Sequence, residues 1–176
     1  MPSTARDTRP TAPDFGEWYA DYVREAPAGD IVATLERQAG ALADQFLAFS
    51  DEEALFRYAP GKWSVKEIIL HLADAERVFS YRAVSFARGD AGPLPGFDEN
   101  AWTPASRADA RSVADLVGEF RAARASTVAL FRGLDEAQWE GRGAASGNPF
   151  TVRALAWIIA GHAAHHARVV AERYRP

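Results

Sequence analysis

Apolar side chains recur along four long stretches of this chain at steps of three, four and seven, the repeat of a helix with one buried face. In the first, Leu35, Leu42, Phe46 and Phe49 follow Asp30, a residue suited to cap a helix starting at Ile31. In the second, Val65, Ile68, Leu72, Ala75, Phe79 and Phe86 form a stripe that Gly89 ends. Its start carries a capping box, Ser64 with Glu67, and Trp63 stands where a hydrophobic staple would. The third begins at Ser112 with Asp115 and runs through Val113, Leu116, Phe120, Thr127, Leu130 and Phe131. The fourth runs from Thr151 to about Tyr174, and no stretch shows the strict alternation of a half-buried strand. The pattern predicts an all-α four-helix bundle.

The remaining segments punctuate that bundle. Residues 1–13, with prolines among Ser, Thr and Arg, read as a disordered N-terminal tail. Asp14 to Glu25, with Phe15, Trp18, Tyr19 and Tyr22, reads as a short helix packed on the main body. Residues 89–108 form a long crossover between the second and third helices, and a compact domain rarely keeps so long an irregular loop without a use. Residues 135–139 read as one helical turn and 141–149 as loop. A length of 176 residues suits one core, so 14–176 is read as a single domain.

Composition narrows the function classes. With 20 Lys+Arg against 24 Asp+Glu, a net charge of -4 and no basic block, the chain has no electrostatic footprint for nucleic acid. It has no cysteine, which excludes disulfides, thiol catalysis and thiolate metal sites. The N-terminus lacks the apolar core of a signal peptide. The longest stretch free of Asp, Glu, Lys and Arg, Ala154 to Ala167, falls short of the roughly 20 residues of a membrane span. The expectation is a soluble cytoplasmic protein with no membrane partner.

The four histidines fall in two places. The inward seam of the fourth helix reads Leu155, Ile159, His162, His166, Val169, so two imidazoles occupy positions where a bundle expects Leu or Ile. Four apart, they share one face, with Cβ atoms roughly 5–6 Å apart, and can both reach one metal ion. His165 is about 100° round from His166 and is expected in the outer sphere. His71, beside the apolar stripe of the second helix, is the remaining histidine and the candidate third ligand. Singly, His71 suits a core histidine bonded to backbone, and one His-x-x-x-His in an alanine-rich helix arises by chance. Their concentration on two helices favours a shared divalent ion, because unpaired seam imidazoles would cost about 1–3 kcal/mol each. Three neutral imidazoles leave coordination positions open for water or substrate, the pattern of a catalytic site.

Two segments carry a family resemblance. Gly61-Lys62-Trp63-Ser64-Val65-Lys66-Glu67-Ile68-Ile69-Leu70-His71-Leu72-Ala73-Asp74-Ala75-Glu76-Arg77 resembles the first signature of the DinB-like superfamily, which includes YfiT-type proteins. Gly161-His162-Ala163-Ala164-His165-His166-Ala167-Arg168-Val169-Val170 resembles its C-terminal signature. The resemblance spans roughly 30–174, and Pro93 to Asp98 with Trp102 looks like a subfamily loop. It implies a four-helix bundle with a long crossover and a divalent metal, zinc or nickel, on three histidines. Those positions fall on His71, His162 and His166. Some relatives use a low-molecular-weight thiol as cosubstrate, and many have no known activity.

Further candidates have ordinary roles beside functional ones. Glu67 and Asp74 flank His71 at helical spacing and could orient an imidazole, although Glu67 also completes the capping box. Asp98 and Glu99, in the crossover, could border the site, with Asp98 as general base or simply as a turn residue. Trp102 is the best aromatic candidate for a pocket wall, and Arg77 and Arg82 could meet an anionic substrate. The leading expectation is a metal-dependent hydrolase or thiol-dependent transferase acting on a small molecule. The alternatives are a non-catalytic metal- or ligand-binding protein of stress response or detoxification, and a homodimeric scaffold with a vestigial site.

Overall fold

The computed structural model describes residues 4–174, and each long helix starts at the cap its sequence supplies. A short helix α1 (Ala20–Glu25) precedes α2 (Ile31–Leu47), whose first N–H groups, from Val32 and Ala33, bond the Asp30 carboxylate. The side chain of Ser64 accepts from Glu67 N–H to open α3 (Val65–Ala87), and the Glu67 carboxylate accepts from Ser64 N–H in return. A seven-residue helix α4 (Glu99–Ala105) follows in the crossover. Ser112 caps α5 (Val113–Arg132), a single turn forms α6 (Glu136–Trp139), and Thr151 caps α7 (Val152–Arg173). Between α6 and α7 lies an antiparallel hairpin of β1 (Arg142–Ala145) and β2 (Asn148–Thr151).

The main helix contacts run α3–α5, α2–α5, α3–α7 and α2–α7, while α1 lies along α7. Helices successive in sequence, α2 and α3, therefore face each other across a diagonal of the bundle. The apolar core divides into two clusters along its length. One gathers Leu35, Phe79, Phe131, Trp139, Phe150 and Trp157, and the other Phe46, Ile69, Leu116, Phe120 and Val170. Full burial of each such side chain stabilises by about 1.5–3 kcal/mol.

Near the boundary of those clusters every long helix carries a polar side chain: Gln38 on α2, His71 and Glu76 on α3, Arg124 on α5 and His162 on α7. Arg124 Nε donates to Glu76 Oε1 at 2.6 Å, with both residues buried, and Arg124 Nη1 donates to Leu35 O and Gln38 Oε1. This charged, hydrogen-bonded layer separates the clusters at the level of the histidines.

Three expectations change. The loop expected at 141–149 contains the hairpin, whose turn residues Ser146 and Gly147 have φ of 51° and 74°, the paired left-handed pattern of a two-residue turn. Four-residue strands are too short to show an alternation, and this pair is anchored laterally by the crossover, where Leu94 N–H bonds Ala144 O. The crossover itself contains α4, which Asp98 opens by accepting from Asn100 and Ala101 N–H. The N-terminal stretch, described from Thr4 on, lies against the bundle. Arg9 donates to the carbonyls of Val23 and Ala26 with its guanidinium over Trp157, and Arg6 lies over Trp139. A polar composition conceals such packing of arginine stems on tryptophan. Residues 1–3 of that tail lie outside the described residues. Among the described residues no helix is long and apolar enough to cross a membrane.

Candidate metal centre

Two helix starts set the site. The Ser64 cap fixes α3 so that His71 stands two turns inside it, and the Thr151 cap fixes α7 with His162 and His166 one turn apart. His71 Nε2 lies 2.9 Å from His162 Nε2, and His166 Nε2 lies 3.1 Å from the same atom. Nitrogens about 3 Å apart are spaced as three ligands about 2 Å from one cation require. Among the described residues these three form a cluster able to hold a metal ion.

The chemistry of the donor set fits such an ion. His71 and His162 are buried, and burial pushes the His71 imidazole down to about 4. Burial first, then the neighbouring imidazoles, hold His162 and His166 well below the usual histidine range. All three are therefore neutral at pH 7, the form that ligates metal. Three convergent neutral imidazoles cannot satisfy one another with hydrogen bonds alone, because each contact between two Nε2 atoms needs one proton and one lone pair. A cation accepts all three lone pairs together.

Aromatic rings hold the imidazoles in place. Trp63 packs 4.7 Å from His71 and runs nearly parallel to His166 at 19° and 6.3 Å. Tyr22 meets His162 edge-on at 5.2 Å. The cluster opens into a cavity of about 160 Å³ walled by Trp18, Tyr22, Phe79, Phe97 and Glu99, and His166 also borders a second cavity of about 260 Å³ with Trp63, Tyr58 and Lys62.

The other expected site residues separate. Asp98 is exposed and caps α4, so it is Glu99, one residue on, that borders the histidine cavity. Glu67 completes the capping box and accepts from Arg57 at 3.0 Å, away from the imidazoles. Asp74 pairs with Arg77 at 3.0 Å, and burial raises its carboxyl above the ordinary aspartate value. Trp102 packs on Phe97 and lines a neighbouring cavity. His165 stands outside the trio, at the rim of both cavities, with Nδ1 3.3 Å from Arg168 Nη2 and 3.7 Å from Glu25 Oε1.

Tyr22 is the residue the sequence reading left among packing aromatics. Burial, then the carboxylates of Glu99 and Glu25, raises its phenol above the usual value. The available signal was the spacing of Trp18, Tyr19 and Tyr22 on a short helix beside polar residues, which marks one shared face without naming what it covers.

The described chain resembles YfiT from Bacillus subtilis, described as a probable metal-dependent hydrolase with an unusual four-helix bundle topology. The two superpose with a TM-score of 0.72 at 19% identity, over 81% of this chain and 82% of that one. A search of curated proteins finds no significant match. A family model described as the DinB superfamily matches residues 34–170, and the chain belongs to that superfamily.

Proposed function

We propose that this protein is a metal-dependent hydrolase of small molecules, with one divalent ion, zinc or nickel, held by His71, His162 and His166. The observation that carries the reading is the convergence of three neutral, desolvated Nε2 atoms at the mouth of a cavity. The likeness to YfiT, itself described as a probable metal-dependent hydrolase, supports it. A divalent ion on three imidazoles supplies Lewis acidity and lowers the pKa of coordinated water to about 7.

The chain's own residues supply the rest. Glu99, on the cavity wall, accepts the proton of the attacking water and returns it to the leaving group. Tyr22 keeps its proton at neutral pH, since its phenol titrates above the ordinary value, and donates a hydrogen bond to the oxygen on which charge develops. Phe79, Phe97 and Trp63 exclude bulk water and strengthen those interactions. A cavity of about 160 Å³ limits the group bound there to a small one.

The test is turnover. Untagged protein, reconstituted with zinc or nickel, is assayed against small esters and amides with and without a low-molecular-weight thiol. The reading expects hydrolysis that chelator abolishes, that metal restores, and that His162→Ala lacks. Turnover that requires the thiol would replace hydrolysis with group transfer, and silence of the metal-loaded protein across the panel would overturn the enzymatic reading.

A further inference from the structure

Arg82, on α3, is 1% exposed and has no carboxylate partner among the described residues. Each other buried Lys, Arg, Asp or Glu among the described residues has a partner of opposite charge: Glu76 with Arg124, Lys66 with Asp51, and Asp14 with Arg142 and Arg153. Only Nη2 of Arg82 forms hydrogen bonds, to Ser146 Oγ at 2.7 Å and Pro95 O at 3.2 Å. Its Nε and Nη1 are buried without an acceptor. The rings of Phe79 and Phe150, 5.4 and 5.9 Å from the guanidinium, offer π-faces and no counter-charge. A buried guanidinium left with free donors and no anion is costly to a fold.

Arg82 lines a cavity of about 360 Å³ beneath the crossover, a volume in the range of small-molecule sites. Its walls are otherwise mostly apolar, from Tyr81, Leu94, Phe97 and Trp102. Tyr81 and Trp102 are 56% and 47% exposed, large aromatic surface left open to a ligand. Asp74 also borders the cavity, but its carboxylate is held by Arg77 at 3.0 Å and forms no ion pair with Arg82. The roof is the segment that supplies Pro95 O, and backbone hydrogen bonds fasten it to the hairpin at Leu94 and Ala144.

We infer that this cavity binds a small organic carboxylate, its acid group on Arg82 and its aromatic or short aliphatic body against Tyr81 and Trp102. Phe97 borders both this cavity and the histidine cavity, so the two ligand sites are neighbours with a common wall. The inference does not need a metal ion at the histidines. It can therefore stand or fall separately from the hydrolase reading.

The test titrates the full chain, in chelator so that no cation competes for the acid, with 3-phenylpropionate and with its neutral amide. The Arg82 Nε–H and the Trp102 indole N–H are followed by nitrogen-edited NMR and assigned through Arg82→Lys and Trp102→Phe. The acid is expected to shift both resonances and to bind at least about tenfold more tightly than the amide, the discrimination one charge-assisted hydrogen bond provides. Arg82→Met, of similar length, is expected to bind acid and amide equally. Equal affinity of the wild type for both compounds, or an acid titration that leaves the Arg82 resonance unmoved, would overturn the inference. If Arg82→Met does not fold, the wild-type comparison decides alone.

Discussion

His71 and His162 lie 91 positions apart in the chain and bring their Nε2 atoms to 2.9 Å. The contact closes α3 on α7 at the polar level between the two apolar clusters. Without a cation the contact is a marginal one, two desolvated imidazoles sharing one proton. Its cost and its use follow from the same burial.

The metal-free protein is expected to lose stability on acidification. The folded-state value of His71 is about 4 against 6.5 for the free side chain, so the unfolded chain binds more protons between those values. Stability is therefore fully present above about pH 6.5 and falls as pH drops toward 4, with His162 and His166 adding in the same direction. The slope is on the order of 1 kcal/mol per pH unit for each histidine. Urea unfolding of chelator-treated protein at pH 7.5, 6.0 and 5.0 measures it. His162→Gln should flatten the slope, and an equal slope in that variant would place its origin elsewhere.

α7 can approach α1 only through a missing side chain. A Cβ on Gly161 would lie 1.7 Å from Tyr22 O, so Gly161→Ala must push α1 outward and carry Tyr22 away from His162. The expected loss is about 1–3 kcal/mol, the range for overpacking, with altered tyrosine packing in near-ultraviolet dichroism. Gly40→Ala, on α2 where an added Cβ meets nothing, should instead gain about 0.5–1 kcal/mol. Similar effects of the two changes on the unfolding midpoint would contradict this packing.

The Glu76–Arg124 pair supports the level of the histidines. Arg124→Met leaves the Glu76 carboxylate buried and unpaired, and the expected loss is about 3–5 kcal/mol. Replacing both, with Glu76→Leu added, should recover most of it, as measured in a double-mutant cycle. If the double variant is as unstable as the sum of the singles, the pair is not coupled as described.

Glu99 and Tyr22 should alter turnover without altering metal content. Glu99→Gln removes the proton acceptor and is expected to lower kcat by about 100-fold or more. Tyr22→Phe removes one hydrogen-bond donor and should cost about tenfold. Metal analysis alongside the kinetics makes the distinction, because a variant that loses both would be acting through the imidazoles.

The imidazole trio was legible because a helix repeats regularly: a four-residue step puts His162 and His166 on one face, and the scarcity of histidine points to His71. Caps at Asp30, Ser64 and Ser112 were legible for the same local reason, while Thr151, read as the start of the fourth helix, is its cap. Tyr22 was not, since its place depends on how α1 lies along α7, and Glu99 was legible only as one of two neighbouring carboxylates, because how the crossover folds back over α3 decides which of them meets the cavity. The one-residue difference between Asp98 and Glu99 turns on which carboxylate the helix start takes as its cap. The hairpin escaped detection because its strands owe their stability to the crossover beside them, a contact about 50 residues away in sequence.

Metal content measured by mass spectrometry on untagged protein, beside His71→Ala, His162→Ala and His166→Ala, tests the central claim most directly. The account predicts about one zinc or nickel ion per wild-type chain and its loss in each variant, with wild-type unfolding shifted upward by about 2.7 kcal/mol when free metal is 100 times its Kd. Wild-type protein that takes up no divalent ion at neutral pH, or variants that keep it, would contradict the account.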